Sequence, residues 1–367
     1  MDDIYTPYRS ADANAPGFVA GLPSYPRNFS RDTLLAGLIA GNEELIVSQL
    51  NVSAAHQGTQ LDPISGEEPG KVHHEYPGIA YRAPLMTTYN ACDTTALFVI
   101  SIASLAHVHL YQYRKFVDDH IKEIKAATVY LKEHVVDGIF WEKPAGGAKE
   151  FSLRVTYWKD SVVPNPKVEQ PVYPVTYALA HFQAALGVES AGMILEDQSL
   201  IVLADDMFRI GIKKFIHQDS FCAMEDASTA LELNSSDELH SLAYIPVRYK
   251  SLLPLEAIAS RAQELITPIG IACTPLQTSE MLSDRYHGHV VWPFEQALIH
   301  QGCIKFGLLE LADVAARVAT HIGAGQELFD VDPDIIPSGN DRQLWSVAAG
   351  DYFQNIAPKG GGFLREI

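Results

Sequence analysis

Apolar side chains recur every three or four residues through most of the chain, as at Leu34, Leu35, Leu38 and Ile39, then Leu97, Ile100 and Leu105, then Ile121, Ile124, Val129 and Leu131. That spacing lays them along one face of an α-helix. Further helices are predicted near 173–187, 192–216, 254–265, 290–308, 309–322 and 342–356, separated by segments rich in Pro, Gly, Asn or Asp. With weaker stretches included, the pattern predicts about a dozen helices and an all-α fold. The linkers at 57–88, 137–172 and 323–341 are long for a simple bundle, and long loops in a compact fold tend to carry function. Nothing along the chain resembles an interdomain linker or a short repeat, so one domain over 1–367 is expected, with a loose tail from about 358 in the glycine-rich PKGGGFLREI.

With 47% hydrophobic and 20% charged residues among 367, the chain can bury a sizeable core without disulfides or metals. Forty-five acidic against 27 basic residues leave a formal charge of -18, which repels phosphate backbones and anionic membranes. Neither nucleic acid nor a membrane is an expected partner, whereas a neutral ligand such as a sugar is compatible with this surface. The four cysteines, Cys92, Cys222, Cys273 and Cys303, are widely spaced without a CxxC pair and read as buried free thiols rather than zinc ligands. The opening MDDIYTPYRS lacks the basic and apolar regions of a secretory signal. A cytoplasmic location is the default expectation, with export by a route needing no N-terminal signal left open.

Six segments concentrate polar chemistry. In SYPRNFSRDT, Arg31 and Asp32 open an apolar helix behind Tyr25 and Phe29, where Asp can serve the helix N-terminus or a ligand. GKVHHEYPG gathers His73, His74, Glu75 and Tyr76 in a loop. Adjacent residues seldom point the same way, so these read as hydrogen-bonding groups lining a pocket rather than as metal ligands. In TTYNACDTTALFVI, Tyr89 and Asn90 precede Asp93, a good helix cap. RVTYWKDSVVPN places Trp158 and Lys159 beside Asp160; an apolar neighbour raises a carboxyl pKa and keeps the proton a general acid donates. DRYHGHVVWPFEQALIHQG brings Tyr286, His287, His289, Trp292 and Glu295 to a helix start, with rings that can stack on sugars or simply pack in the core. Glu295 rivals the catalytic base, although its place inside the helix counts against it. Finally, QELFDVDPDIIPSGNDRQLW sets Glu327 ahead of an acidic loop and Trp345 on the helix that follows.

In this order, RDT at 31–33, GKVHHEY at 70–76, YNACDTT at 89–95, WKDS at 158–161, HGHVVWP at 287–293, ELFDVDP at 327–333 and QLWSVA at 343–348 resemble the amylo-α-1,6-glucosidase family, the glucosidase part of glycogen-debranching enzymes and a relative of glucoamylases. The resemblance implies an (α/α)₆ barrel, a six-hairpin toroid whose loops bind a glucosyl unit. It makes Asp160 the general acid and Glu327 the general base of an inverting hydrolase. It also places Arg31, Asp32, His74, Glu75, Tyr89, Asp93, Trp158, Lys159, His287, Trp292 and Trp345 around the sugar. Pro77, where relatives show Arg, and the carboxylate-free QPVYPVTY at 170–177 leave linkage and aglycone open.

The leading expectation is an exo-acting α-glucosidase releasing glucose from glycogen-like or starch-like α-glucans through α-1,6 or α-1,4 linkages. The alternative on the same scaffold is a hydrolase of a small glycoside, such as a glucosylglycerate or a disaccharide. A silent glycan-binding barrel, or an isomerase or lyase using His74, His287 or His289 as base, represents other classes. Two carboxyls need neither metal nor organic cofactor, and full activity is expected in chelator. Oligomeric state is not legible in the sequence.

Overall fold

The structure, a computed structural model, describes residues 4–11, 17–162, 170–279 and 285–357; the tail expected to be loose from about 358 lies outside them. Helices follow one another in pairs: α1 (Ser30–Ala40) and α2 (Glu43–Ala55), α3 (Thr94–Val108) and α4 (Leu110–Glu133), α5 (Ala178–Ile194) and α6 (Gln198–Phe215), α7 (Asp237–Ser241) and α8 (Leu255–Ala262). After the single turn α9 (Leu276–Ser279) come α10 (Pro293–Phe306) and α11 (Leu309–Ala316), and α12 (Leu344–Asp351) completes the series. The first member of each pair joins a closed ring, α1 on α3, α3 on α5, α5 on α7, α7 on α10, α10 on α12 and α12 back on α1. The second members pack outside their partners. The fold is an (α/α)₆ barrel with six inner helices and, among the described residues, five outer ones. Beside α12, the N-terminal segment contributes Tyr5, whose hydroxyl donates to Asp351 Oδ2 at 3.1 Å.

The two rings differ in sequence because they differ in surroundings. Every residue of α1 is buried, and every residue of α5 except Met193, so neither helix shows a solvent-facing stripe, and their few charged side chains, Arg31 and Asp32 of α1 and Glu189 of α5, are buried with the rest. Gly187 of α5 lies so near α3 that an added Cβ would sit 3.1 Å from the Cα of Ala96. The outer α6, by contrast, buries only the stripe Leu200, Ala204, Met207, Phe208, Gly211, Ile212 and Phe215. Three helices were not among those read from periodicity, α2, α7 and the single turn α9. Helix α2 begins at Asn42, whose side chain accepts from Leu45 N at 3.0 Å, directly after Gly41 ends α1 in the left-handed region at φ 58. Helix α7 has only five residues, too few to display a period.

Four inner helices pass to their outer partners through short turns, at Gly41–Asn42, His109, Leu195–Asp197 and Gly307–Leu308, while α7 reaches α8 through residues 242–254. The return connections are long and all gather at the N-terminal ends of the inner helices. Short antiparallel pairings tie them together there: Asn28–Phe29 with Glu75–Tyr76, Val290–Val291 with Leu328–Asp330, Leu328–Asp330 with Ile336–Ser338, and Gly21–Leu22 with Arg342–Gln343. All four cysteines are free and buried. No described helix is long and apolar enough to cross a membrane.

Candidate active site

The long loops and the inner-helix N-termini enclose a cavity of about 300 Å³, at the small end of the range for small-molecule sites. Arg31 and Asp32 reach it from the first turn of α1, Trp292 and Gln343 from the positions just before α10 and α12, and Trp345 from α12. The loops add His74, Glu75, Trp158, Asp160, Tyr286, His287 and Glu327. Helix N-termini expose unpaired N–H groups and a positive dipole end. The carboxylates of Asp32, Asp93, Asp237 and Glu295 all stand at such ends.

Glu327 is almost wholly buried and accepts two hydrogen bonds, from the hydroxyl of Tyr286 at 2.7 Å and from the backbone N–H of Asn340 at 2.5 Å. Burial raises its pKa, and these two donors pull it back, so the charged form keeps partners while remaining basic enough to take a proton. Gly339 makes this seat possible. Its φ is +74, and a Cβ there would lie 2.3 Å from Glu327 Oε2. Tyr25 hydrogen-bonds Tyr286, and its own pKa is raised by burial first, then by Glu327, with smaller contributions from Asp160 and Asp32. One phenol therefore feels all three carboxyls.

Asp160 lies on the opposite character of wall. Its side chain is 43% exposed, with Oδ1 3.8 Å from His287 Nδ1, while Ser161 Oγ lies 2.8 Å from the same nitrogen. The Trp158 indole, in the same lining, packs against His287, Trp292 and Phe294 and donates its N–H to Asp237 Oδ1 at 3.1 Å. Asp32 is the third carboxyl, buried and raised to about 7 by burial, partly offset by Arg31; it accepts from Gln343 Nε2 at 3.1 Å. His287 and His74 are both driven well below the usual imidazole range by burial, with Lys159 and Arg31 adding to the effect on the first and Arg31 on the second. They are neutral hydrogen-bonding groups at ordinary pH.

Three residues expected around the sugar stand elsewhere. Tyr89 is turned away, with its hydroxyl donating to His56 O at 2.9 Å. Asp93 does not cap α3 with its side chain; its two oxygens instead receive Arg31 Nε and Nη2 at 2.7 and 2.9 Å, a bidentate pair behind the cavity that fixes Arg31. Lys159, next to Trp158 in sequence, does not line the cavity but extends into the core, where its ammonium meets the same Asp237 oxygen as the Trp158 N–H. Its ammonium donates to Ser235 Oγ at 3.0 Å and Ser236 Oγ at 2.7 Å and lies 3.0 Å from Asp237 Oδ1 and 3.6 Å from Glu295 Oε1. Glu295 is thereby removed as a rival base, since it is fully buried on this ammonium. Asp237, His240 and Glu295 have their ligand atoms close enough to share a metal ion, but the Lys159 ammonium already supplies the cation to both carboxylates. His289 binds Thr274 O through Nδ1 at 2.9 Å and does not line the cavity.

The lining also includes Arg27, Ile79, Tyr81, Thr87, Leu153 and Gln343, which were not singled out from the sequence. Arg27 stands four residues before Arg31 and so carried a weak signal, and Gln343 lies within the QLWSVA segment. Ile79, Tyr81 and Leu153 come from loop stretches without periodicity and carried none.

Neither a scan against protein-family models nor a search of the curated proteins finds a match to this chain. Its fold does have solved counterparts. A GH63 mannosylglycerate hydrolase from Thermus thermophilus, in complex with glucose, superposes with a TM-score of 0.66 at 11% identity over 96% of this chain and 98% of that one. An uncharacterized conserved protein from the same organism gives 0.68 at 12% identity over the same shares. A rhamnosidase from Klebsiella oxytoca with rhamnose bound gives 0.55 at 13% identity, over 92% of this chain and 59% of that one. The likeness is one of fold.

Proposed function

We propose that this chain is an inverting glycoside hydrolase of a small glycoside, with Asp160 as general acid and Glu327 as general base. The observation that carries the reading is the cavity itself, where a solvent-facing carboxyl and a buried, doubly hydrogen-bonded one stand among Trp158, Trp292 and Trp345. Asp160, facing the mouth, protonates the departing oxygen, and the bound sugar itself excludes water from around it. Glu327 takes a proton from the attacking water, its negative charge held by Tyr286 and Asn340. Inversion requires the two carboxyls to lie roughly 6.5–9.5 Å apart, leaving space for that water.

The small size of the cavity favours a small glycoside over the end of a glucan, and several solved counterparts carry the name mannosylglycerate hydrolase, one of them in complex with Tris and D-glycerate. Release of glucose from glycogen-like or starch-like chains, with α-1,6 or α-1,4 specificity, is the second reading, supported by the sequence resemblance. Proton NMR of the purified protein separates them. Substrates would be α-glucosyl and α-mannosyl disaccharides, their glycerate glycosides and glycogen, with Asp160→Asn and Glu327→Gln as controls. The expected result is sugar released initially with inverted anomeric configuration from a small glycoside, absent in both variants. Retained configuration, or undiminished activity in either variant, would refute the assignment of roles.

A further inference from the structure

The wall of the cavity divides into a buried floor and an open rim. Asp32, His74 and Trp292 form part of the floor and are nearly inaccessible, whereas Ile79 and Tyr81 line the same cavity at 38% and 64% exposure. These two are not on a slack strand of chain. Thr87 N donates to Ile79 O at 3.0 Å and Ile79 N to Thr87 Oγ1 at 3.0 Å. The neighbouring Arg82 is tied down three times, by Nη2 to Glu150 at 2.8 Å, Nη1 to Phe151 O at 3.2 Å and its N–H to Ser152 Oγ at 3.2 Å. An aliphatic and an aromatic side chain are thus held in water at the mouth of a site, where apolar exposure has no folding benefit.

The charges of the lining point in a consistent direction. Among the described residues, its cations are Arg27 and Arg31. Arg31 is committed bidentately to Asp93, and Arg27 places both Nε and Nη2 on Glu75 Oε2, at 2.8 and 2.5 Å. Of the lining carboxyls, Glu327 has its charge held by two neutral donors, the Tyr286 hydroxyl and the Asn340 N–H. A carboxylate entering this cavity meets Glu327, while both guanidiniums of the lining are already committed to carboxylates.

Resting on the glycoside hydrolase reading, we propose that Ile79 and Tyr81 form the leaving-group subsite and that it selects an uncharged, ring-bearing leaving group, such as a second sugar, over a carboxylate-bearing one such as glycerate. The C–H face of a ring packs on the Tyr81 ring, and a neutral ligand escapes the like-charge penalty of the cavity.

The test uses the full chain and one glycone presented on three leaving groups: fluoride, which is too small to reach the rim, a second sugar, and glycerate. The expected order in kcat/KM places the disaccharide at least about tenfold above the glycerate glycoside, with the gap narrowing as salt is raised. Tyr81→Ala is expected to lower kcat/KM for the disaccharide about tenfold more than for the fluoride, mainly through KM, and Tyr81→Phe to restore it, the size corresponding to one lost aromatic contact. Glu75→Gln, by releasing Arg27, should improve the glycerate glycoside relative to the disaccharide. A preference for the glycerate glycoside, or an equal effect of Tyr81→Ala on fluoride and disaccharide, would overturn the subsite. Failure to hydrolyse any glycosyl fluoride would instead remove the hydrolase reading, and the subsite with it.

Discussion

Replacing Lys159 with Met should destabilise the fold by about 3–5 kcal/mol, the range for breaking a buried ion pair from one side. The structure supplies the reason. The ammonium is 1% exposed, donates to two serine hydroxyls and neutralises Asp237 and Glu295 together. Burial alone would lower its pKa, but those two carboxylates outweigh burial and raise it. For Glu295, burial pushes the pKa up while Lys159, first among its partners, brings it below the usual range. Methionine matches the stem but leaves two carboxylates facing one another in the core. Ser236 still donates to Glu295 at 2.6 Å and Trp158 to Asp237 at 3.1 Å, which limits the loss without cancelling either charge. At a melting entropy near 2.1 cal/mol/K per residue, 4 kcal/mol corresponds to roughly 5 °C in Tm for a chain of this length.

Denaturant titration from pH 4 to 8 is the decisive assay. In the native protein the depressed Glu295 pKa gives stability that is present above its unfolded value and lost as pH falls through the folded one. In the variant the sign reverses, since the unneutralised pair favours a proton in the fold and destabilises as pH rises. The deficit should therefore be largest near neutrality and shrink toward acid. A loss below about 1 kcal/mol, typical of a solvent-exposed pair, or a deficit independent of pH, would refute the reasoning.

Other consequences can be checked separately. Asp32, raised to about 7, holds its proton in the fold but not in the unfolded chain over the window from about 4 to 7, so it costs stability as pH rises through that window. Asp32→Asn should remove this slope, seen as a gain relative to the native protein at pH 8 over pH 5 in the same titration. Gly339→Ala should nearly abolish activity with a much smaller effect on folding, because a Cβ 2.3 Å from Glu327 Oε2 displaces the carboxyl; kcat with circular dichroism as control reads this. Tyr286→Phe deletes a 2.7 Å donor to Glu327, so the acid limb of the kcat/KM profile should move to higher pH.

How much of this was legible in the sequence varied with the physics involved. The inner helices α3, α5 and α10 announced themselves by dense apolar runs, whereas α7, a single turn and a half, gave no period to read. Asp160, Glu327 and Trp292 stood in segments where the order of motifs, rather than any local pattern, marked them. That order could not say which way adjacent side chains face. Trp158 reaches the cavity while Lys159 turns into the core, and Asp93 gives its charge to Arg31 instead of to the helix it precedes. Tyr81 and Ile79 were silent because a rim residue needs no periodicity and obeys no burial rule.

The strand pairing of Gly21–Leu22 with Arg342–Gln343, and the Gln343 side chain on Asp32 across 311 positions of sequence, have a consequence for synthesis. The floor of the cavity joins α1 to α12, so a nascent chain has no complete site until α12 has been made. At translation rates of about 5–20 residues per second, α1 waits on the order of fifteen seconds to a minute for the helix that closes its ring. During that interval the apolar side chains of α1, from Leu34 to Ala40, have its neighbours α2 and α3 to pack against, which are made within the next eighty residues. A chain cut short before α12 would leave an open arc of helices with a bare apolar seam, prone to seek that seam's partner in another molecule.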